Sequence, residues 1–320
     1  MAERAAARRR RRRRARSSAD RFDALYPRWI WPAFAAPAWV WLAAFFVLPL
    51  YAVLAIAMGT VSPIFGTTSP MWNPLHWNPA AFRFVWDGLV SSTGDFHDPL
   101  IRTGEYIVLA LAGCLVIGYP VAYFIARYGG PRKALYLALL MVPFFISYLM
   151  RMLAWVDLLL SDGYVNRILV DLHVLAGPRD WLDGQGSTVV FGLIYGYIPY
   201  MILPLYASLD RIDAALLEAA RDLGAGRLRT FLRVTLPLSK QAILAGSLIV
   251  ALPMVGDYYT VDLLSASPRT SMVGNVVNYY ITGSTQTDVG AAAVLLLILL
   301  LIPPMLYYIW SSNRASREAA

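Results

Sequence analysis

Apolar positions in this chain gather into runs, and polar ones fill the gaps between them. Six runs reach the length of about 20 mostly apolar residues that a helix needs to cross the hydrocarbon core. They cover residues 33–58, 106–126, 134–155, 189–207, 242–263 and 290–310. The fourth contains Gly192, Gly196, Pro199 and Pro204, which membrane helices tolerate because neighbours satisfy the freed backbone groups. The pattern predicts an all-α fold, a polytopic membrane protein with six transmembrane helices.

Composition agrees with this pattern, since 58% of the 320 residues are hydrophobic and 15% charged, too little charge for a soluble domain of this length. The net charge of +8 changes the picture less than it first suggests. Residues 1–30 hold eleven arginines against Glu3, Asp20 and Asp23, whereas the remaining 290 carry seventeen basic and seventeen acidic side chains. The excess is a tail, expected to be disordered for want of apolar content, and nothing in it calls for a nucleic-acid partner. Either its arginine run binds anionic lipid head groups, or the true start lies downstream and the run has no role. The first apolar run is of span length and stands well after the positive region, so it reads as an uncleaved anchor.

Lysine and arginine placement sets orientation. With the N-terminus inside, segments 1–32, 127–133, 208–241 and 311–320 carry twenty-two of the twenty-eight basic residues. Both termini are therefore expected in the cytoplasm. The expected division is a tail over 1–30, a transmembrane domain over 31–313 and a cytoplasmic end over 314–320. Outer loops cover 59–102, 156–188 and 264–289. The first is long and rich in tryptophan, asparagine and proline, as ordered surface structure would be. With Asp157 and Asp262 at its edges, this side bears ten carboxylates against five arginines. That balance either favours cations or is simply solvated loop charge. Cys114 sits in an apolar run as a packing residue. His76, His97 and His173 lack metal-ligand spacing, so no metal or other cofactor is expected.

The cytoplasmic loop 209–237 is unusual. It contains EAARDLGAGRLRTFLRVTLP over residues 218–237. Asp213 caps a first helix over 214–223 and Gly224 stops it. Leu216, Ala220 and Leu223 share one face, while Glu218 and Arg221 stand at pairing distance. A second short helix is expected over 227–234, and Pro237 resets the chain before the next span. Two amphipathic helices around a glycine turn suit either a groove on a soluble partner or the membrane surface.

The spacing of Glu218, Ala219, Ala220, Gly224, Val234, Leu236 and Pro237 resembles the signature of ABC importer permeases, with Val234 for the commoner isoleucine. The resemblance runs from about Gly118 to the last span. It is nearest to the permeases of spermidine/putrescine importers in GYPVAYFIAR (118–127), SYLMRMLAW (147–155), the stretch over 195–225 and GDYYTVDLL (256–264), and the long first outer loop resembles the putrescine-type member. Leu153 stands where that family usually has tyrosine, Val261 where proline is common, and Ser265-Ala266 replaces a Gly-Gly pair.

What the resemblance implies is a bacterial inner-membrane subunit that docks an ATPase through this loop. It implies two ATP-binding subunits, a second related permease and a periplasmic binding protein. No G-x-x-x-x-G-K-[ST] phosphate loop occurs in the chain, so ATP hydrolysis belongs to a separate subunit and the chain is not itself an enzyme.

Ionisable residues in or beside spans are the candidates for a substrate path: Arg151, Asp257 and, nearer the interface, Glu105 and Asp157. Asp257 with Tyr258 and Tyr259, expected inside the fifth span, suits an ammonium group through charge and cation–π attraction. The alternative is an internal ion pair of Asp257 with Arg151. Trp155 is either part of the path or an interfacial anchor. Gly192 and Gly196 form a G-x-x-x-G packing motif.

Other importer substrates, such as an opine, ferric iron or a phosphonate, remain open. An intramembrane aspartyl protease using Asp157 and Asp257 fits less well, because Met254 breaks the G-x-G-D pattern. A secondary transporter fits less well too, because no internal repeat is visible.

Overall fold

The computed structural model describes residues 30–61 and 67–318. The arginine-rich tail expected to be disordered lies, up to residue 29, outside the described residues. The chain divides into two compact units, one ending at Ala55 and the other beginning at Ile56.

In the first unit, helix α1 (Pro32–Ala57, its last two residues belonging to the second unit) is apolar throughout and passes through a π turn at Ala43–Val47. Trp41 and Phe45 stack on its surface at 4.1 Å.

The long first loop holds structure where it is described, and residues 62–66 lie outside the described residues. Strands β1 (Thr60–Val61) and β2 (Thr68–Ser69) pair antiparallel, and helix α2 (Ala80–Val90) follows. Helix α3 (His97–Tyr128) is longer than its apolar run because the polar residues before Tyr106 extend it at the N-terminal end. The core lies between α3 and helix α7 (Gly186–Asp210). There Ala110, Cys114, Leu193, Met201 and Leu205 are fully buried. The prolines and glycines of the fourth apolar run do not interrupt α7, which runs unbroken for 25 residues.

Two expectations need correction. The third apolar run is not one straight span. Helix α4 (Lys133–Met141) passes into a 3-10 turn at Val142–Phe145, Ile146 and Ser147 are extended, and helix α5 (Tyr148–Leu159) leaves at 84°. Pro143 has no N–H to continue the helical ladder there. The described residues thus hold five straight candidate spans, or six when this bent pair is one of them.

The fifth apolar run is also broken. Helix α9 (Arg227–Val255) ends at Gly256, and a separate helix α10 (Tyr259–Leu264) follows. Asp257 therefore sits in a gap between helices rather than within a span. Helix α6 (Tyr164–Asp171) lies between α5 and α7, and α8 (Ala214–Asp222) occupies the loop before α9. Helices α11 (Val273–Asn278) and α12 (Thr287–Glu318) complete the unit.

Candidate functional site

Loop 209–237 folds much as its caps dictate. The Asp213 carboxylate accepts the Ala215 N–H at 3.0 Å and starts α8. Gly224, at φ +82°, closes it, with the Ala225 N–H donating to the Ala220 carbonyl at 3.1 Å. A left-handed φ carries no Cβ penalty for glycine. Leu217 is buried, whereas Leu216, Leu223 and Leu228 are exposed, so the loop presents apolar side chains outward. Glu218, Ala219 and Gly224 are exposed as well. Val234 and Leu236 instead pack inward on the core.

The loop is not a free knob. The Arg127 guanidinium donates to the Ile212 carbonyl at 3.0 Å, and Lys133 pairs with Asp210. Phe231 meets Tyr119 and Tyr123 edge-on at 5.5 and 6.0 Å. The expected Glu218–Arg221 pair is not among the ion pairs of the described residues, which include Lys133–Asp210.

Nor does Pro237 reset the chain. A π turn at Phe231–Thr235, in which the Leu236 N–H reaches back to the Phe231 carbonyl, carries the helix through the proline. Such a turn shifts the hydrogen-bond register and makes room for a residue lacking an N–H. Helix α9 therefore starts inside the loop and extends about 43 Å to Val255 at 1.5 Å per residue.

Asp257 lies beyond the far end of that helix and is buried. One carboxylate oxygen accepts the Thr260 N–H at 3.0 Å, capping α10. The other is approached by the hydroxyls of Thr260 at 2.7 Å, Tyr148 at 2.9 Å and Tyr197 at 3.2 Å. The Tyr148 and Thr260 hydroxyls are also in contact with each other, at 2.5 Å. A buried carboxylate is tolerable when its lone pairs are satisfied in this way.

The glycines read as a packing motif make this centre possible. A Cβ on Gly196 would come within 2.7 Å of the Tyr148 ring, and one on Gly192 within 2.3 Å of Leu264.

Arg151 is buried at 7% exposure but does not pair with Asp257. Its guanidinium lies over Phe144 at 4.2 Å and near the rings of Tyr148 and Tyr195 at 5.5 and 5.9 Å. Its Nε and Nη1 atoms are buried without hydrogen-bond acceptors. Asp257 is already served by neutral donors, which removes the reason for the ion pair.

Trp155 is half-buried, edge-on to Phe191 at 4.6 Å and to Tyr195 at 5.3 Å. Tyr258 stacks on Tyr259 at 4.2 Å, turned to its neighbour. Glu105 and Asp157 are exposed.

The sequence reading thus found Asp257 and Arg151 but missed Tyr148, Tyr197 and Thr260. Thr260 had a local signal, the Asp-x-x-Thr spacing of a helix cap. The tyrosines had none, because they arrive from two other helices.

The family of binding-protein-dependent transport system inner membrane components matches residues 104–316. The spermidine/putrescine transport system permease protein PotB of Escherichia coli (strain K12) is 37% identical over 197 residues, covering 62% of this chain and 71% of that protein. Its namesake in Haemophilus influenzae is 34% identical over 256 residues, covering 79% and 83%. Among solved structures, a bacterial alginate ABC transporter in complex with an alginate pentasaccharide-bound periplasmic protein aligns with a TM-score of 0.65. That alignment covers 90% of this chain and 95% of the other at 20% identity, a likeness of fold. With the matched region running from within α3 through most of α12, the chain belongs to the family of binding-protein-dependent transport system inner membrane components.

Proposed function

We propose that this chain is a permease subunit of an ATP-driven ABC importer for polyamines, spermidine or putrescine. The observation that carries the reading is the 37% identity to a permease named for spermidine/putrescine transport. The loop supports it. Glu218 and Ala219 are exposed on α8, with Ala220 half-buried beside them and Gly224 exposed in the closing turn, while Val234, Leu236 and Pro237 continue the loop into α9.

In this reading loop 209–237 faces the cytoplasm with both termini and docks on one of two ATP-binding subunits. The chain pairs with a second, related permease and receives its load from a periplasmic binding protein. ATP binding closes the ATPase pair and draws the coupling helices together, so the permease pair turns outward. Hydrolysis, performed by the ATP-binding subunits, resets it. Arg151, Trp155, Asp257 and Tyr258 belong to the region through which the solute passes.

One observation favours a second reading. Arg151 has buried donors without acceptors, and an ammonium group brings only more donors. A solute bearing a carboxylate, such as an opine, would satisfy them.

Uptake of labelled putrescine and spermidine with and without this gene, in a strain lacking other polyamine importers, separates the two. Gene-dependent, ATP-requiring uptake is the expected result. No uptake from a chain that assembles with its ATPase moves the substrate to the carboxylate-bearing class.

A further inference from the structure

We infer that the cavity walled by Trp155, Trp181 and Phe191 is a binding site on the permease itself for the aliphatic amine. This rests on the polyamine reading above. The cavity, of about 320 Å³, lies between α5, α6 and the start of α7, with Leu159 and Val165 completing its apolar lining.

Its central wall is set before any ligand arrives. The Trp181 Nε1–H donates to the Asn166 side-chain oxygen at 3.0 Å, and the Trp181 carbonyl accepts the Thr188 hydroxyl at 2.7 Å. Asn166 is buried and itself fixed: its amide donates to the carbonyls of Leu160 and Arg179, both at 2.9 Å, and its oxygen also accepts the Arg179 N–H at 3.0 Å. A preset wall lowers the ordering cost of binding.

The chemistry of that wall selects the ligand. The Trp181 indole N–H and the Thr188 hydroxyl are committed internally, so apart from Ser187 the cavity presents ring faces and aliphatic carbon. A phosphonate or a bare metal ion gains little there, whereas a methylene chain fits. The Arg179 guanidinium lies 4.7 Å from the centroid of the Trp181 ring, so one cation already stands on this residue. Asp180 and Asp183 flank Trp181 in the sequence, and both are exposed. A linear diamine or polyamine lays its methylenes on the rings and keeps its ammonium groups in water, as lysine side chains do on apolar surfaces.

The test measures binding of labelled putrescine and spermidine to the purified importer complex without its binding protein, beside uptake by the complete system. Trp181→Ala is expected to weaken binding about fivefold or more, the size of a partly desolvated cation–π contact. Trp181→Phe, which keeps a ring face but loses the indole N–H, is expected to stay within about twofold of the parent.

Parental affinity in Trp181→Ala would overturn the site while leaving the polyamine reading intact. Equal losses in both variants would overturn it too, because they would trace to the Asn166 hydrogen bond. Failure of the parent both to bind and to transport either amine would remove the polyamine reading and the site together.

Discussion

The Tyr148 hydroxyl meets the Asp257 carboxylate at 2.9 Å, joining two helix breaks whose residues stand 109 positions apart in the chain. One break bends the third span before α5, and the other separates α9 from α10. Tyr148→Phe removes one donor from a buried carboxylate and should destabilise the protein by about 1–3 kcal/mol. Asp257→Ala should cost more, because it strips the cap from α10 and leaves three hydroxyls without their acceptor. Thermal unfolding of the purified protein in detergent checks the order. A Tyr148→Phe variant as stable as the parent would show that the contact holds nothing together.

The space for that contact comes from α7. Gly196→Ala places a methyl 2.7 Å from a Tyr148 ring atom, and Gly192→Ala places one 2.3 Å from Leu264 and 2.8 Å from Thr260. Side-chain atoms can shift, so each is expected to cost about 1–3 kcal/mol through overpacking. Gly192→Ala should be the worse, having two close neighbours. Equal midpoints for both variants and the parent would mean that α10 and Tyr148 move aside freely.

Much of this architecture was legible in the sequence because membrane burial writes itself into long apolar runs. The caps of α8 were legible for a local reason: Asp213 and Gly224 act within a few residues of themselves. The two broken spans were not. Residues 134–155 and 242–263 are apolar on both sides of their breaks, so hydropathy cannot register the extended pair Ile146–Ser147 or the gap at Gly256. The Asp257 centre was half legible. A carboxylate amid apolar residues is conspicuous, but its tyrosine donors come from α5 and α7, and only tertiary packing brings them together. The same packing explains why the alternative, an Arg151–Asp257 pair, does not form.

Arg151 offers a stability test with the opposite sign. Its buried Nε and Nη1 lack acceptors, and each such donor costs about 1–3 kcal/mol. Arg151→Met keeps much of the side-chain length without those donors. It should leave the isolated protein as stable as the parent or more so, while Arg151→Ala, which empties the space beside Phe144 and Tyr195, should be less stable. A marked loss in the methionine variant would indicate that the cation–π contacts outweigh the unmet hydrogen bonds.

Gly224 isolates backbone strain from packing. Its φ is +82°, yet a Cβ there would meet nothing within 4 Å. Gly224→Ala should therefore cost about 1–2 kcal/mol from conformation alone, and Gly224→Asn less, since asparagine tolerates the left-handed region better. Because α8 and α9 meet at this turn, the alanine variant should also lower transport more than it lowers the global unfolding midpoint. Identical behaviour of the alanine and asparagine variants would remove the conformational argument.

Glu218 tests the docking role of the loop most directly. It is exposed on α8 and forms no ion pair among the described residues, so reversing its charge removes no ion pair from the folded chain. Its apolar neighbours Leu216 and Leu223 are exposed as well, and a surface helix substitution away from packing contacts usually shifts stability by less than about 0.5 kcal/mol. Glu218→Arg should consequently insert into the membrane and unfold at the parental temperature while losing ATP-driven uptake. Truncating a rim charge weakens an interface modestly, but placing the wrong charge in a docking groove costs several kcal/mol. Co-purification of the ATP-binding subunit gives the second readout: it should fall with uptake. Parental uptake with the ATPase still bound would mean that the subunit grips the chain somewhere other than this helix.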